Sequence, residues 1–228
     1  MYESLQQTYG GAVSQATRNR VLRNTYWLLA LSLVPTVLGA WIGVQTGMLA
    51  HMGSGMSALL FLGGAFGFMF AIEKTKESST GVFVLLAFTF FMGLMLSRLI
   101  AAVLGFSNGA QLIMTAFAST AAIFATMATI ATTTKRDLSG MGKMLTVGAI
   151  MLLVAGLVNI FLQSSVMMLT LCVLSTLIFS AYMLYDVKRI VDGGETNYIT
   201  ATLAIYLDIY NVFQSLLALL GIFGGERD

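Results

Sequence analysis

A chain of 228 residues that is 57% hydrophobic and 10% charged, with a mean hydropathy of +0.86, lacks the polar surface that a water-soluble globule needs. The formal net charge of +2 gives no support for nucleic-acid binding. Cys172 is the one cysteine, so there is neither a disulfide framework nor a Cys/His metal spacing.

The first 24 residues are polar and carry Arg18, Arg20 and Arg23. They predict a cytosolic tail. The apolar run that follows is too long for a cleaved signal, so the first span is read as a retained anchor. A helix needs roughly 20 residues to cross the ~30 Å hydrocarbon layer. Stretches of that length are marked at Thr25 to Met48, Ser54 to Ile72, Thr80 to Leu104, Ala110 to Thr133, Met141 to Leu162, Val166 to Ile190 and Tyr198 to Phe223. They form one domain over residues 25–223, with a short tail at 224–228. The runs are continuously apolar, without the period-two alternation of a barrel wall. The expected fold is an all-α polytopic membrane protein, a bundle of seven transmembrane helices.

Within the spans, Pro35 predicts a kink in the first. Gly63 and Gly67 in the second, and Ala118, Ala122, Ala125 and Ala128 in the fourth, are small residues at helical spacing that predict close helix contact. Ten of the twelve Lys and Arg residues fall at one side: Arg18, Arg20, Arg23, Lys74, Lys76, Lys135, Arg136, Lys143, Lys188 and Arg189. The opposite loops hold no charge, and His51 is their only titratable side chain. Positive loops stay inside, so the amino terminus is expected in the cytoplasm and the carboxyl terminus outside.

The last span carries the chemistry. Ala201, Ala204, Asp208, Asn211, Ser215 and Ala218 share one helical face. A small, polar, acidic stripe surrounded by bulk predicts a central C-terminal helix. Asp192 to Asn197 reads as a glycine stop followed by an N-cap at Thr196 or Asn197, which makes the last two spans an antiparallel hairpin. Asp208 lies at a depth where an ionisable group costs roughly 2.5–3.5 kcal/mol on insertion scales and marks a functional site by default. Asp186, after Tyr185, lies near the cytosolic end of span six. The depths of the two aspartates differ by about 5–10 Å, which leaves open whether they touch. If they do, two carboxyls in a dry site share one proton, a latch that raised pH would break. Oxygen ligands would suit Ca²⁺, so Asp186 and Asp208 are also the candidate metal ligands. No other cofactor is expected.

Each of these residues has a plainer reading. Asp186 can hydrate beside Lys188 and Arg189, and Asp208 can hydrogen-bond to Asn211 or to a hydroxyl. Glu73 can be a solvated helix end rather than a gate, and Arg98 can snorkel outward rather than act as a buried counter-charge. An intramembrane aspartyl protease is a remote alternative, because Asp208 lacks the Gly-x-Gly-Asp setting and no Pro-Ala-Leu follows. A retinal-type receptor lacks its lysine in span seven. The expectation is therefore that the chain is not an enzyme.

Arg23-Asn24-Thr25-Tyr26, Asn159 to Gln163, Gly193 to Ile199 with Ala201-Thr202, and Leu207 to Phe213 together resemble the Bax inhibitor-1 family, and within it the bacterial YccA-like branch. The resemblance spans nearly the whole chain and implies a seven-helix bundle around its last helix, in the bacterial inner membrane. It implies two activities. One is modulation of the membrane-anchored AAA protease FtsH. The other is a pH-sensitive Ca²⁺ leak governed by H⁺ at an aspartate pair, matched here by Asp186 and Asp208. The chain departs from the family pattern at Arg98, where many members carry proline after Leu-Ser. It also shows no evident basic latch residue near Glu73 to Glu77.

Overall fold

The structure, a computed structural model, describes residues 14–49 and 52–226; His51 lies outside them. Seven helices follow one another: α1 Gln15–Thr46, α2 Ser54–Thr75, α3 Ser79–Leu104, α4 Gly109–Thr133, α5 Met141–Leu162, α6 Ser165–Val191 and α7 Tyr198–Gly224. Each is long and apolar enough to cross a bilayer, and no strand occurs among the described residues. The chain is a multi-pass membrane protein of the expected class.

The first helix starts ten residues before Thr25. The Ser14 side chain caps it by accepting from the Thr17 backbone N–H at 3.2 Å, which converts Gln15 to Asn24 from tail into helix. Polarity in that stretch reports only that it leaves the hydrocarbon. Pro35 sits inside an uninterrupted α1.

α7 is the axis of the bundle. It packs against α1, α2, α3, α4 and α6, whereas α5 touches only α2 and α6. α4 and α5 are consecutive yet do not pack together, because α6 lies against both. Burial follows this plan. α7 buries Ile199, Ala201, Thr202, Ile205, Tyr206, Asp208, Tyr210, Val212, Ser215, Leu217 and Ala218, so several of its faces are covered and not only the acidic stripe. α5 buries Leu145 alone. The exposed Trp27, Phe66, Phe117 and Phe161 face lipid.

Close helix contact is made elsewhere than the sequence suggested. A Cβ on Gly63 or Gly67 would meet open space. Ala118, Ala122 and Ala125 are exposed, with Ala128 half-buried. The intimate pair is α1 with α3, where Gly39 lies against the Phe90 carbonyl, Gly93 against the Thr36 carbonyl and Gly43 against Ser97. Glycine spacing reports what a helix face permits, and the neighbour decides whether the permission is used.

Both ends of α7 are tied down. At the end bearing the basic residues, Asn197 caps the helix by accepting from the Ile199 and Thr200 N–H groups at 2.8 and 3.2 Å. Its amide donates to the Lys76 carbonyl at 2.9 Å, joining the α6–α7 hairpin to the α2–α3 turn. Gly193 supplies the positive φ of 81° that ends α6. At the far end, the Asn108 amide donates to the Gly224 carbonyl at 2.6 Å.

Candidate functional site: a buried pair of carboxyls

The α6–α7 hairpin brings Asp186 and Asp208 together, with their carboxyl groups within hydrogen-bonding reach of each other. Counted from the hairpin, Asp208 lies about five residues, roughly 7 Å, deeper than Asp186. Helix stagger and tilt take up the difference.

The two sites are not equivalent. Asp208 is 3% exposed, and its Oδ2 finds no hydrogen-bond donor among the described residues. Asp186 is half-buried. Deep in the bundle, the group that can satisfy Asp208 is the facing carboxyl, and two carboxyls bond to each other only through a proton held between them. Without that proton, two like charges would face each other where little water reaches.

The residues expected to support the pair are placed differently. The Asn211 amide donates to the Leu207 carbonyl at 2.7 Å, one turn back along its own helix, so Asp208 receives no bond from it. Ser215 is buried but lies two turns from Asp208, about 10 Å along the axis. Tyr185 turns to α5, where its Oη packs against Gly142. Lys188 is 8% exposed and reaches away, donating to the Thr134 carbonyl at 3.0 Å and pairing with Asp192 at 2.8 Å.

Glu73 and Arg98 lie apart from the pair. Glu73 is solvated and binds Lys76 at 2.5 Å, and that hydrogen bond holds the Lys76 ammonium above the usual lysine range. Arg98 is exposed at the opposite end, with 3.5 Å contacts to the Met52 carbonyl and Ser57 Oγ. It is a snorkelling side chain and not a buried counter-charge, because a position six residues from the end of α3 lets the guanidinium reach the membrane surface. Two carboxylates are the whole acidic donor set of the pair. No group of three or more His, Cys, Asp or Glu that could hold a metal occurs among the described residues.

Sequence reasoning missed two features. The first is Glu195: the Arg189 that the sequence sets beside Asp186 is already paired with it at 3.5 Å, so the cation near the site is partnered from the hairpin turn. The second is a buried polar seam between α1, α3 and α7. Tyr206 Oη meets Thr36 Oγ1 at 2.8 Å and donates to the Thr89 carbonyl at 3.4 Å, and Tyr210 Oη donates to the Met92 carbonyl at 3.3 Å. Tyrosine prefers the membrane interfaces. Two of them one turn apart deep in a span were the available signal.

A seven-helix membrane bundle with a carboxyl pair at its central helix is thus the class of protein that the fold and the site define. The family described as "Inhibitor of apoptosis-promoting Bax1" matches residues 18–225, and the chain belongs to this Bax inhibitor-1 family. It is similar to an uncharacterised protein of Pseudomonas aeruginosa, 37% identical over 99% of this chain and 100% of the relative. An uncharacterised protein of Neisseria meningitidis is 35% identical over 96% of this chain and 97% of its own length. The Escherichia coli K12 protein named "Modulator of FtsH protease YccA" is 36% identical over 91% of this chain and 92% of its own length.

Proposed function

We propose that this chain is a non-enzymatic inner-membrane modulator of the FtsH protease. The observation that carries the reading is the 36% identity, over 91% of the chain, to the relative named for that role. The fold is compatible with it. Behind the Ser14 cap stands a bundle whose central helix is tied at both ends. A protease that pulls from the amino-terminal side would meet a load that resists extraction. The expected orientation, with the basic end in the cytoplasm, offers that side of α1 to the cytosolic face.

Removing residues 2–13 leaves the Ser14 cap and the bundle intact. The shortened protein should copurify with FtsH less than the parent does, and should no longer slow degradation of an FtsH membrane substrate. Unchanged copurification and unchanged degradation would overturn the reading.

A second activity is favoured by the meeting of Asp186 and Asp208. We infer a Ca²⁺ leak gated by the proton they share, closed while the proton bridges α6 to α7 and opened when higher pH removes it. The bare carboxylates then repel each other or take up the cation. The purified protein in liposomes should pass more Ca²⁺ on the alkaline side of neutrality than on the acid side. Flux no greater than in empty liposomes would remove this activity and leave the protease reading standing.

A further inference from the structure

The bonds that hold α6 to the rest of the bundle are gathered at one end. Lys188 donates to the Thr134 carbonyl at the end of α4, and Arg18 of α1 donates to the Val191 carbonyl at 3.2 Å. Both bonds lie in the last turn of α6, beside the hairpin turn where Gly193 takes its positive φ. Apolar burial has the same bias. α6 enters the main core through Leu184, Val187, Ile190 and Val191, and Cys172 is the one residue buried in its first half. The core at the far end is built by Val103, Leu112, Ala116 and Leu217, from α3, α4 and α7, with nothing from α6. Upstream of Lys188, and apart from the carboxyl pair, the one hydrogen bond described from an α6 side chain to another helix goes to α5, from Tyr182 Oη to Thr146 Oγ1 at 3.1 Å. Tyr185 and Ile178 pack against Gly142 and Gly148 of the same helix.

α7 is held on the side that faces away from the pair. Thr202, Tyr206 and Tyr210 lie about 120–200° round the helix from Asp208, at ~100° per residue. Thr202 Oγ1 donates to the Thr25 carbonyl at 3.4 Å, and the two tyrosines bond to α1 and α3 in the polar seam. α7 therefore belongs with α1 and α3, and with α4 through the far-end core, whereas α5 and α6 form a pair of their own. Beyond the hairpin turn, Asp186 with Asp208 is the one polar tie between α6 and α7 among the described residues. Lipid tails are as apolar as the helices, so contact between helices gains little over contact with lipid. A single polar tie then carries much of what keeps α6 in place.

We propose that α5 and α6 move as one unit, hinged at the basic end of α6 and latched by the carboxyl pair. When the pair parts, the far end of α6 swings away from α7, α7 stays fixed to α1 and α3, and the bundle opens sideways toward the lipid. Asp186 lies about 7 Å from the hinge end of α6 and Ser165 about 39 Å, so a parting of ~1 Å at the pair becomes roughly 5 Å at Ser165. This motion goes beyond the protease and leak readings and does not depend on either.

The test uses the full chain in lipid nanodiscs, with pairs of spin labels on introduced cysteines in a Cys172→Ser background. Distances are read by double electron–electron resonance on the acid side of neutrality. Labels at Val166 and Ile222, both exposed, span the far ends of α6 and α7, and labels at Thr46 and Ile222 span α1 and α7. Asp208→Ala removes the latch and should lengthen the Val166–Ile222 distance by about 5 Å, with Thr46–Ile222 unchanged. Asp208→Asn, which still hydrogen-bonds to Asp186, should keep the parent distance. If Asp208→Ala does not fold, Asp186→Ala cuts the same tie from its half-buried side and should give the same lengthening. An unchanged Val166–Ile222 distance in the folded alanine variant would overturn the proposal. So would a lengthening in Asp208→Asn as large as in Asp208→Ala, or an equal lengthening of Thr46–Ile222, which would make α7 the moving helix.

Discussion

A Cβ on Gly93 would run into the backbone carbonyl of Thr36, whereas one on Gly63 would meet nothing within 4 Å. The same substitution type should therefore give opposite results at the two positions. Gly93→Ala forces α1 away from α3 and should cost on the order of 1–3 kcal/mol in reversible unfolding in mixed detergent. Gly63→Ala should be neutral or stabilising by up to about 1 kcal/mol through helix propensity. Equal effects would mean that the α1–α3 contact is not where the glycines matter. For the carboxyl pair the prediction concerns charge rather than size. Asp208→Asn keeps the shape and a hydrogen-bonding group but cannot lose a proton, so the rise of Ca²⁺ flux with pH should flatten while the fold persists. A pH response as steep as the parent's would place the sensor elsewhere. Asp208 itself was legible in the sequence, because an acid flanked by Leu207 and Ile209 announces itself. Its partner's reach was not, since depth counted along two helices omits their stagger and tilt.

Among the elements, the α6–α7 hairpin depends on Asn197. That side chain accepts from two N–H groups of α7 and donates to the Lys76 carbonyl, so it fixes both the start of the helix and its attachment to the α2–α3 turn. Asn197→Ala should destabilise the protein by roughly 1–2 kcal/mol. Because it loosens the hairpin that presents the pair, it should also raise Ca²⁺ flux on the acid side of neutrality. A stability loss with no change in flux would separate the cap from the gate. This cap could be read from sequence, since glycine followed by Thr196-Asn197 before an apolar run is a local signal. The start of α1 could not be read so simply, because Gln15 to Asn24 forms helix outside the apolar stretch and hydropathy is silent about helices in water. The seam of Thr36, Tyr206 and Tyr210 was hidden for a different reason. Each of its hydrogen bonds joins residues far apart in the chain, and no local pattern encodes a partner.

For the molecule as a whole, the distribution of positive residues predicts which side of the membrane each loop faces. Cysteines introduced at Ser78 and Ser107, in a Cys172→Ser background, should label from the cytosolic and the external face respectively with a membrane-impermeant maleimide. Labelling of both from the same face would overturn the topology. The helix number and the bundle were legible because each span is a continuous apolar run, and the position of α7 was legible from its stripe. The order of the other helices around it was not, since a helix that faces lipid and one that faces protein are similarly apolar. The central place of α7 also bears on how the protein is made. Helices enter the membrane in chain order, and α1 and α3 can dock through Gly39 and Gly93 while the rest is still being synthesised. α4 has its main neighbours in α6 and α7, so its packing is completed only when those last two helices arrive. Asp208 enters the bilayer last, and it enters where Asp186 already waits. On the reading that the two acids share a proton, that proton must be captured as α7 docks, and a chain that takes the axis without it would begin its life with the latch undone.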